Sequence, residues 1–400
     1  MDLSLPRRSA PPEPIPGAAP ARPLPHARRG RPIAAGGAAV TASPLVDVTI
    51  AVHSATRPIR RAVASVLDAT AAPVRVLVVA HNIDPAVIRG NLGEYAGDER
   101  VVLLELQDGI RSPAGPMNLG FASSTAPFIA LLGSDDEFAP GALDSWLRIQ
   151  RETGASAVIP KITLVGRHNN PLPPVRNGRR SRRLDAAKDR LSYRSAPLGL
   201  IDRERFGHLR FTEGLSSGED IALTGELWFR GRDLAVDIDG PAYVGHEDEG
   251  DRVTFTARPV REDFAFLDGL EAAPWFHALG RRARTAAVVK LLRIQFLSAI
   301  GVRATTTPEL VTHQAELRET LDRLVALAPG ALRLLSRVDH RIIDETFSAA
   351  PDVERIRILA NDRWNQRSLG ALLTPNPLFS LHPQAMARLF YAANRTDRIV

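Results

Sequence analysis

Between Val46 and Gly133 short apolar runs alternate with stretches of helical periodicity. VDVTIAV opens the pattern and the helical RPIRRAVASVLDAT follows it. VRVLVVA comes next, then a second helical stretch after Pro85, then VVLLEL (101–106) and PFIALLG (127–133). Continuous apolar runs of this length, separated by amphipathic helices, predict an α/β domain with a mostly parallel sheet covered on both faces. Ligands of such sheets bind outside the carboxyl ends of the strands. Past residue 257 no further strand pattern appears. EDFAFLDGLEAAPWFHALG, RRARTAAVVKLLRIQFLSAIG, PELVTHQAELRETLDRLVALAPG and ALRLLSRVDHRIIDETF read as successive helices with Gly or Pro between them. The pattern therefore predicts an α/β domain over 46–257 and a separate helical unit over 258–400, with no internal repeat.

Residues 1–45 are different in texture. They hold ten prolines in an Ala, Gly and Arg background, too little apolar surface to offset the entropy of ordering, and are expected to be a disordered tail. Six of their residues are Arg against only Asp2 and Glu13, so four of the chain's six net positive charges lie there. That removes most of the case for a nucleic-acid-binding protein. So does the composition of the basic residues: of 51, only Lys161, Lys188 and Lys290 are lysines, a bias that points to codon composition rather than to phosphate contacts. The chain has no cysteine, which excludes disulfides, thiol nucleophiles and Cys-ligated metals. The most apolar stretch, TAAVVKLLRIQFLSAIGV, is interrupted by Lys290, Arg293 and Gln295, and no apolar segment follows the basic N-terminus as a secretory signal would require. A cytoplasmic protein is expected.

Five stretches carry candidate chemistry. LLGSDDEFAP (131–140) sets Asp135, Asp136 and Glu137 side by side at the end of an apolar run. They cap the helix expected after Pro140, or they hold a divalent cation, since Mg²⁺ and Mn²⁺ prefer carboxylate oxygens. SSGED (216–220) precedes the helical IALTGELWFRG. Ser216 and Glu219 have the spacing of a capping box, which leaves Asp220 with no cap to make. A carboxylate in a first helical turn is held as the anion and can accept a proton. His246, in the acidic PAYVGHEDEGD, is a surface residue or a third metal ligand. DGIRSPAGPMNLG (108–120) offers Arg111, Ser112 and Asn118 in a Gly/Pro-rich loop that could lie over a diphosphate. It is not a P-loop, and no GxGxxG follows the first strand. RNGRRSRRLDAAKDRLSYR (176–194) holds eight basic residues and is either a solvated loop or a platform for an anionic acceptor or membrane surface.

Taken in order, these pieces resemble the family 2 glycosyltransferases over about residues 46–255. VTIAVHSATRPIRRAVASVL resembles the opening strand and helix, and VRVLVVAHNIDP the strand and turn that hold the nucleotide base and ribose. GPMNLGFASSTAPFIALLGSDDEFAPGAL resembles the Asn-x-Gly helix, the next strand and the DxD region. SAPLGLIDRERFGHLRFTEGLSSGEDIAL resembles the acceptor region and its Glu-Asp motif. Two positions depart from the pattern. Ala80-His81-Asn82 stands where an acidic pair is usual, with Asp84 nearby, and Gly133 replaces the first acid of DxD, which moves the weight to Asp135.

The resemblance implies a GT-A fold and an inverting, metal-dependent transfer of a hexosyl group from a nucleotide-diphosphate sugar to an acceptor hydroxyl. The acceptor would be a glycan or lipid-linked, in cell-surface polysaccharide or glycolipid synthesis. It implies Mn²⁺ or Mg²⁺ held by Asp135, Asp136 and His246, and Asp220 as base with Glu219 beside it. His53, Ser54, His81, Asn82, Arg111, Ser112 and Ser134 would line the donor. Two other classes remain: a sugar nucleotidyltransferase, which should carry a Gly-rich basic loop where VHSATRPIRR has none, and a GT-A-like binding protein without catalysis, which would lack Asp220.

Overall fold

The structure is a computed structural model that describes residues 43–166, 176, 180–246, 258–366 and 368–397. The expected tail lies, but for residues 43–45, outside the described residues. Strands β1 (Val46–Val52), β2 (Val74–His81), β3 (Val101–Leu106), β4 (Phe128–Gly133), β6 (Ala157–Pro160), β8 (Leu200–Asp202) and β9 (Ala235–Asp237) form one sheet in the order β3-β2-β1-β4-β8-β6-β9. β1 is central and pairs in parallel with β2 and β4, Val46 lying opposite Val74 on one side and Phe128 on the other. Only β8 runs against its neighbours. The run of buried Val and Ile in β1 is interrupted by Asp47, which is fully buried. Its carboxylate accepts both Arg75 Nε and Nη2 at 2.8 Å and the backbone N–H groups of Thr125 and Ala126. A buried charge is tolerated when so fully bonded, and this one ties the starts of β1 and β2 to the chain entering β4.

Helices α1 (Ile59–Leu67), α2 (Pro85–Leu92), α3 (Ala114–Ser123) and α4 (Ala142–Thr153) cover the sheet, as the periodicity predicts. α1 buries Ile59, Ala62, Val63, Val66 and Leu67, a single apolar stripe. α3 packs close on β1 at Gly120, where a Cβ would come within 2.2 Å of the Thr49 side chain. A second, three-stranded sheet joins β5 (Glu137–Phe138), β7 (Ile162–Leu164) and β10 (Tyr243–Gly245) in the order β5-β10-β7. Tyr243 pairs with Phe138 across it, which brings residues more than a hundred positions apart to the end of β4. After β8 come the short α5 (Arg203–Phe206) and then α6 (Ile221–Arg230).

All described elements beyond residue 257 are helical, in keeping with the sequence pattern. α7 (Val260–Asp263), α8 (Phe266–Ala272) and α9 (Pro274–His277) are short. α10 (Arg281–Lys290), a π-helical segment (Leu291–Phe296) and α11 (Leu297–Arg303) run on as one helix of 23 residues. By length and composition this helix could cross a membrane, contrary to the reading of its sequence. Most of its apolar window (67%) is buried against the protein, as in a core helix. α12 (Thr307–Leu327), α13 (Arg337–Thr346), α14 (Val353–Asn365), α15 (Leu369–Leu372) and α16 (Met386–Asp397) follow. The unit has its own core, around Phe264, Phe276, Phe296, Leu317, Leu324 and Ile342. It is bolted to the α/β domain by Arg293, whose Nη1 donates to Tyr193 Oη and Gln384 O, while Gln384 Nε2 donates to Ala187 O.

Candidate active site

The acids at 135–137 do not cap a helix. α4 begins only at Ala142, behind Gly141, with no side-chain cap, because Glu137 and Phe138 are drawn into β5. Each acid has a partner of its own instead. Arg57 Nη1 donates to Asp135 Oδ2, and Arg61 Nη2 to the Asp135 carbonyl. Asp136 accepts from Tyr243 Oη at 2.5 Å and from the His246 N–H at 2.9 Å. The His246 ring meets Glu137 Oε1 at 3.1 Å. Burial pushes the Asp136 carboxyl up, against the pull of its two donors. The Tyr243 hydroxyl, fully enclosed and facing that carboxylate, is raised well above the ordinary phenol value. Ser134 is buried beside them.

Gly133, the departure from the acidic motif, has a steric reason. A Cβ there would lie 2.4 Å from Asp136 Oδ2, so the glycine and the inward Asp136 go together. The donor chemistry of this cluster, carboxylate oxygens with an imidazole, suits a hard divalent cation. Yet both oxygens of Asp136 already accept hydrogen bonds, and no group of three His, Cys, Asp or Glu side chains that could hold a metal is gathered among the described residues. Of the three proposed ligands, Asp136 holds Tyr243 and the 246 backbone, Asp135 pairs with Arg57 and the His246 ring meets Glu137, so a bound cation would have to take the place of these partners.

A second polar cluster stands at the ends of β2 and β3. His81 Nε2 lies 2.9 Å from Asp108 Oδ1, and Asn82 Nδ2 donates to the same oxygen and to Ile110 O. Asn82 Oδ1 accepts from the Asp108 and Gly109 N–H groups. Asn82 has φ +55°, a conformation Asn tolerates better than most residues. Burial acts to raise the Asp108 carboxyl, but the Ile110 N–H, His81 and Asn82 outweigh it and hold it below the usual carboxylate range. Asp84, the acid nearest in sequence, merely caps α2 through the Ala86 N–H. The carboxylate that stands beside the turn after β2 thus belongs to Asp108, in the loop after β3. Its sequence signal is the Asp-Gly pair ending the VVLLELQ run.

Arg111 lies beside this cluster, exposed and with no hydrogen bond or ion pair among the described residues. Ser112 is buried, and its Oγ accepts the Ala114 N–H at the start of α3. Ser54 is used in the turn after β1, accepting the Thr56 N–H, and His53 next to it is exposed. Asn118 reaches from α3 to the segment after α5, accepting the Phe211 N–H and donating to Phe211 O and Glu213 Oε1. From there the Thr212 N–H donates to Glu219 O.

The Ser216/Glu219 capping box is not formed. α6 starts at Ile221 with Asp220 as N-cap, and the Asp220 side chain makes no capping bond. Its carboxyl is pushed up to about 7 by burial and by the neighbouring Glu219, against the pull of Lys290. Glu219 is itself raised by burial, with Arg258 acting the other way. The basic segment fits neither of its sequence readings as a whole. Arg179 lies outside the described residues. Arg176 pairs with the buried Asp189, Arg190 donates to Pro383 O, and Arg194 is buried, its guanidinium nitrogens without hydrogen bonds. Arg183 is exposed, and Arg180, Arg183, Lys188 and Arg282 border a groove of ≈ 550 Å³.

The parallel sheet, the small second sheet and the polar clusters at the strand ends define a GT-A-type α/β domain. The family model described as glycosyl transferase family 2 matches residues 47–209, and this part of the chain is a family 2 glycosyltransferase domain. No curated protein matches the chain by sequence. Among solved structures, S. aureus TarS 1-349 in complex with UDP-GlcNAc is similar with a TM-score of 0.60 and 15% identity, over 81% of this chain and 92% of that one. The same fragment in complex with UDP gives 0.59 and 14%, with the same coverage. S. aureus TarS without a stated ligand gives 0.55 and 14%, over 80% of this chain and 55% of that one. At such identities the likeness speaks to the fold, and it extends past the residues the family model matches.

Proposed function

We propose that the protein is an inverting glycosyltransferase that moves a sugar, most simply a hexose or hexosamine, from a nucleotide-diphosphate sugar to an acceptor hydroxyl. The observation that carries this reading is Asp220. It is half-buried at the head of α6, makes no capping bond, and its carboxyl is pushed up to about 7 by desolvation and by Glu219. A base works best when its pKa lies near the operating pH, where it is ionised often enough and still accepts a proton readily.

In a single displacement the acceptor oxygen attacks the anomeric carbon, the bond from that carbon to the diphosphate breaks, and the leaving diphosphate takes the bonding pair. Asp220 receives the acceptor proton as the new bond forms. His81, Asn82 and Asp108 offer donors and an acceptor to a base and ribose, and Arg111 a free charge to the diphosphate. Asp135 and His246 would hold Mn²⁺ or Mg²⁺, which supplies Lewis-acid stabilisation of the diphosphate when bound. The TarS complexes hold UDP-GlcNAc and UDP, which makes uridine diphosphate sugars the first donors to try. The arginines around the groove support an anionic acceptor, or contact with an anionic membrane surface, in the synthesis of a cell-surface glycan or glycolipid on the cytoplasmic side.

The test is nucleotide release from a panel of UDP-, GDP- and dTDP-sugars, with Mn²⁺ or EDTA, followed by NMR of the product. Release with at least one donor and an inverted anomeric centre is expected. Retained configuration would refute the role given to Asp220, and EDTA without effect would refute the metal.

A further inference from the structure

The junction between the helical unit and α6 encloses a cavity of ≈ 40 Å³. Lys290, Ser192, Ser195 and Thr224 line it, with Trp228 and Trp275 among its apolar walls. These walls are fixed. Trp228 Nε1 donates to Arg194 O at 2.9 Å, and Trp275 lies so close on α6 that a Cβ at Gly225 would come within 2.7 Å of its ring. Lys290 is only 4% exposed. It ends α10, immediately before the π-helical segment, a helical irregularity that often marks functional sites.

The polar groups that meet here lack protein partners. Among the described residues the Lys290 ammonium makes no hydrogen bond and no ion pair within 4 Å. The Ser192 and Thr224 hydroxyls are buried and unsatisfied. A Thr hydroxyl inside a helix commonly turns back to the carbonyl three or four residues earlier. Here Asp220 O accepts the Thr224 N–H, but the hydroxyl stays unpaired. Arg194, on the same turn as Ser192 and Ser195, is also buried with its guanidinium nitrogens unpaired. Burying such groups is costly, most of all the charged ones, unless something answers them. No carboxylate lines the cavity. Burial lowers Lys290 to about 8, with Asp220 acting the other way, so the ammonium carries its charge at pH 7.

We propose that this cavity is a binding site for a carboxylate borne on a small ring, as in an acidic sugar. Lys290 supplies the charge, the three hydroxyls supply hydrogen bonds, and the tryptophans supply an apolar face for the ring. Apolar walls with a few converging polar groups are the usual make-up of a small-molecule site, and hydrogen bonds to an ionised group are the strong ones. At about 10–15 Å³ for each water-sized group, the space holds a carboxylate and its carbon and is tight for a phosphate. Ile221, which follows Asp220, lines the same cavity. Naming the occupant an acidic acceptor therefore rests on the reading of Asp220 as the base; the binding site does not.

The experiment follows tryptophan fluorescence and melting temperature of the full chain at pH 7 and fixed ionic strength. The titrants are sodium glucuronate, sodium acetate, sodium phosphate and glucose. Saturable responses to glucuronate and acetate, and none to glucose at the same concentrations, are expected. Lys290→Met should abolish the saturable response. Thr224→Val, which keeps the charge and the shape, should weaken binding about tenfold, the loss of one hydrogen bond to a charged group. Acetate binding without glucuronate binding upholds the carboxylate and refutes the ring. No saturable response to either carboxylate, an equal response to phosphate, or an unchanged response in Lys290→Met overturns the proposal. Where Lys290→Met fails to fold, Thr224→Val decides, and unchanged affinity there refutes the site. None of these readouts involves transfer, so a negative result leaves the role of Asp220 standing.

Discussion

Replacing Gly133 by Asp would restore the acid that the family pattern carries at this position, and the geometry at the end of β4 says it will do harm. The clean form of the perturbation is Gly133→Ala, which adds a single carbon. That carbon would lie 2.4 Å from Asp136 Oδ2, 3.0 Å from its Cγ and 3.2 Å from Asp135 Oδ1. Comfortable non-bonded contact needs about 3.5 Å, so Asp136 must retreat by about 1 Å. It is held by Tyr243 Oη at 2.5 Å and the His246 N–H at 2.9 Å, and a shift of that size ruins the geometry of both bonds. Hydrogen bonds to a charged group contribute about 1.5–3 kcal/mol each. With partial relaxation, Gly133→Ala should cost about 3 kcal/mol, and Gly133→Asp at least as much because it adds a like charge. The measurement is urea unfolding at neutral pH followed by tryptophan fluorescence, alongside the thermal shift given by UDP with and without Mn²⁺. Both variants should unfold at lower urea and lose the metal-dependent part of the shift. A Gly133→Asp protein within about 0.5 kcal/mol of wild type, the usual range of an innocuous surface change, with an undiminished shift, would refute the reasoning.

Asp220→Asn should lose at least ~100-fold in transfer rate with donor binding intact; near-wild-type transfer would sink the base. The same variant tests linkage. Because the folded carboxyl is raised to about 7, the native state binds the extra proton, and wild-type stability should fall as pH rises from the ordinary carboxylate range towards 7. Urea titrations across that window should find the slope reduced in Asp220→Asn. Asp108→Ala removes the acceptor shared by His81, Asn82 and the Ile110 N–H, and UDP affinity by calorimetry should drop by about tenfold, equivalent to the loss of one or two hydrogen bonds. Unchanged affinity would move the nucleotide elsewhere. Asp135→Ala should abolish the Mn²⁺-dependent part of the UDP thermal shift and leave the metal-free part; equal shifts in both proteins would remove Asp135 from the metal site.

The strands and helices of the α/β domain were legible in the sequence because their signals are local. A continuous apolar run between turn residues has few conformations that bury it, and the stripe of Ile59, Ala62, Val63 and Val66 can face only one way. The ordered motifs at strand ends were legible for the same reason, which is why Asp135, Asp220 and His246 could be singled out. Tertiary structure decided which partner each charge meets. Two capping readings failed because Glu137 and Phe138 pair with β10, and because α6 begins after Asp220 rather than after Ser216. The carboxylate beside His81 comes from Asp108, and the cation answering Asp135 is Arg57, 78 positions away. A charge interacts through space with a strength set by distance and burial, and neither is written in the spacing along the chain.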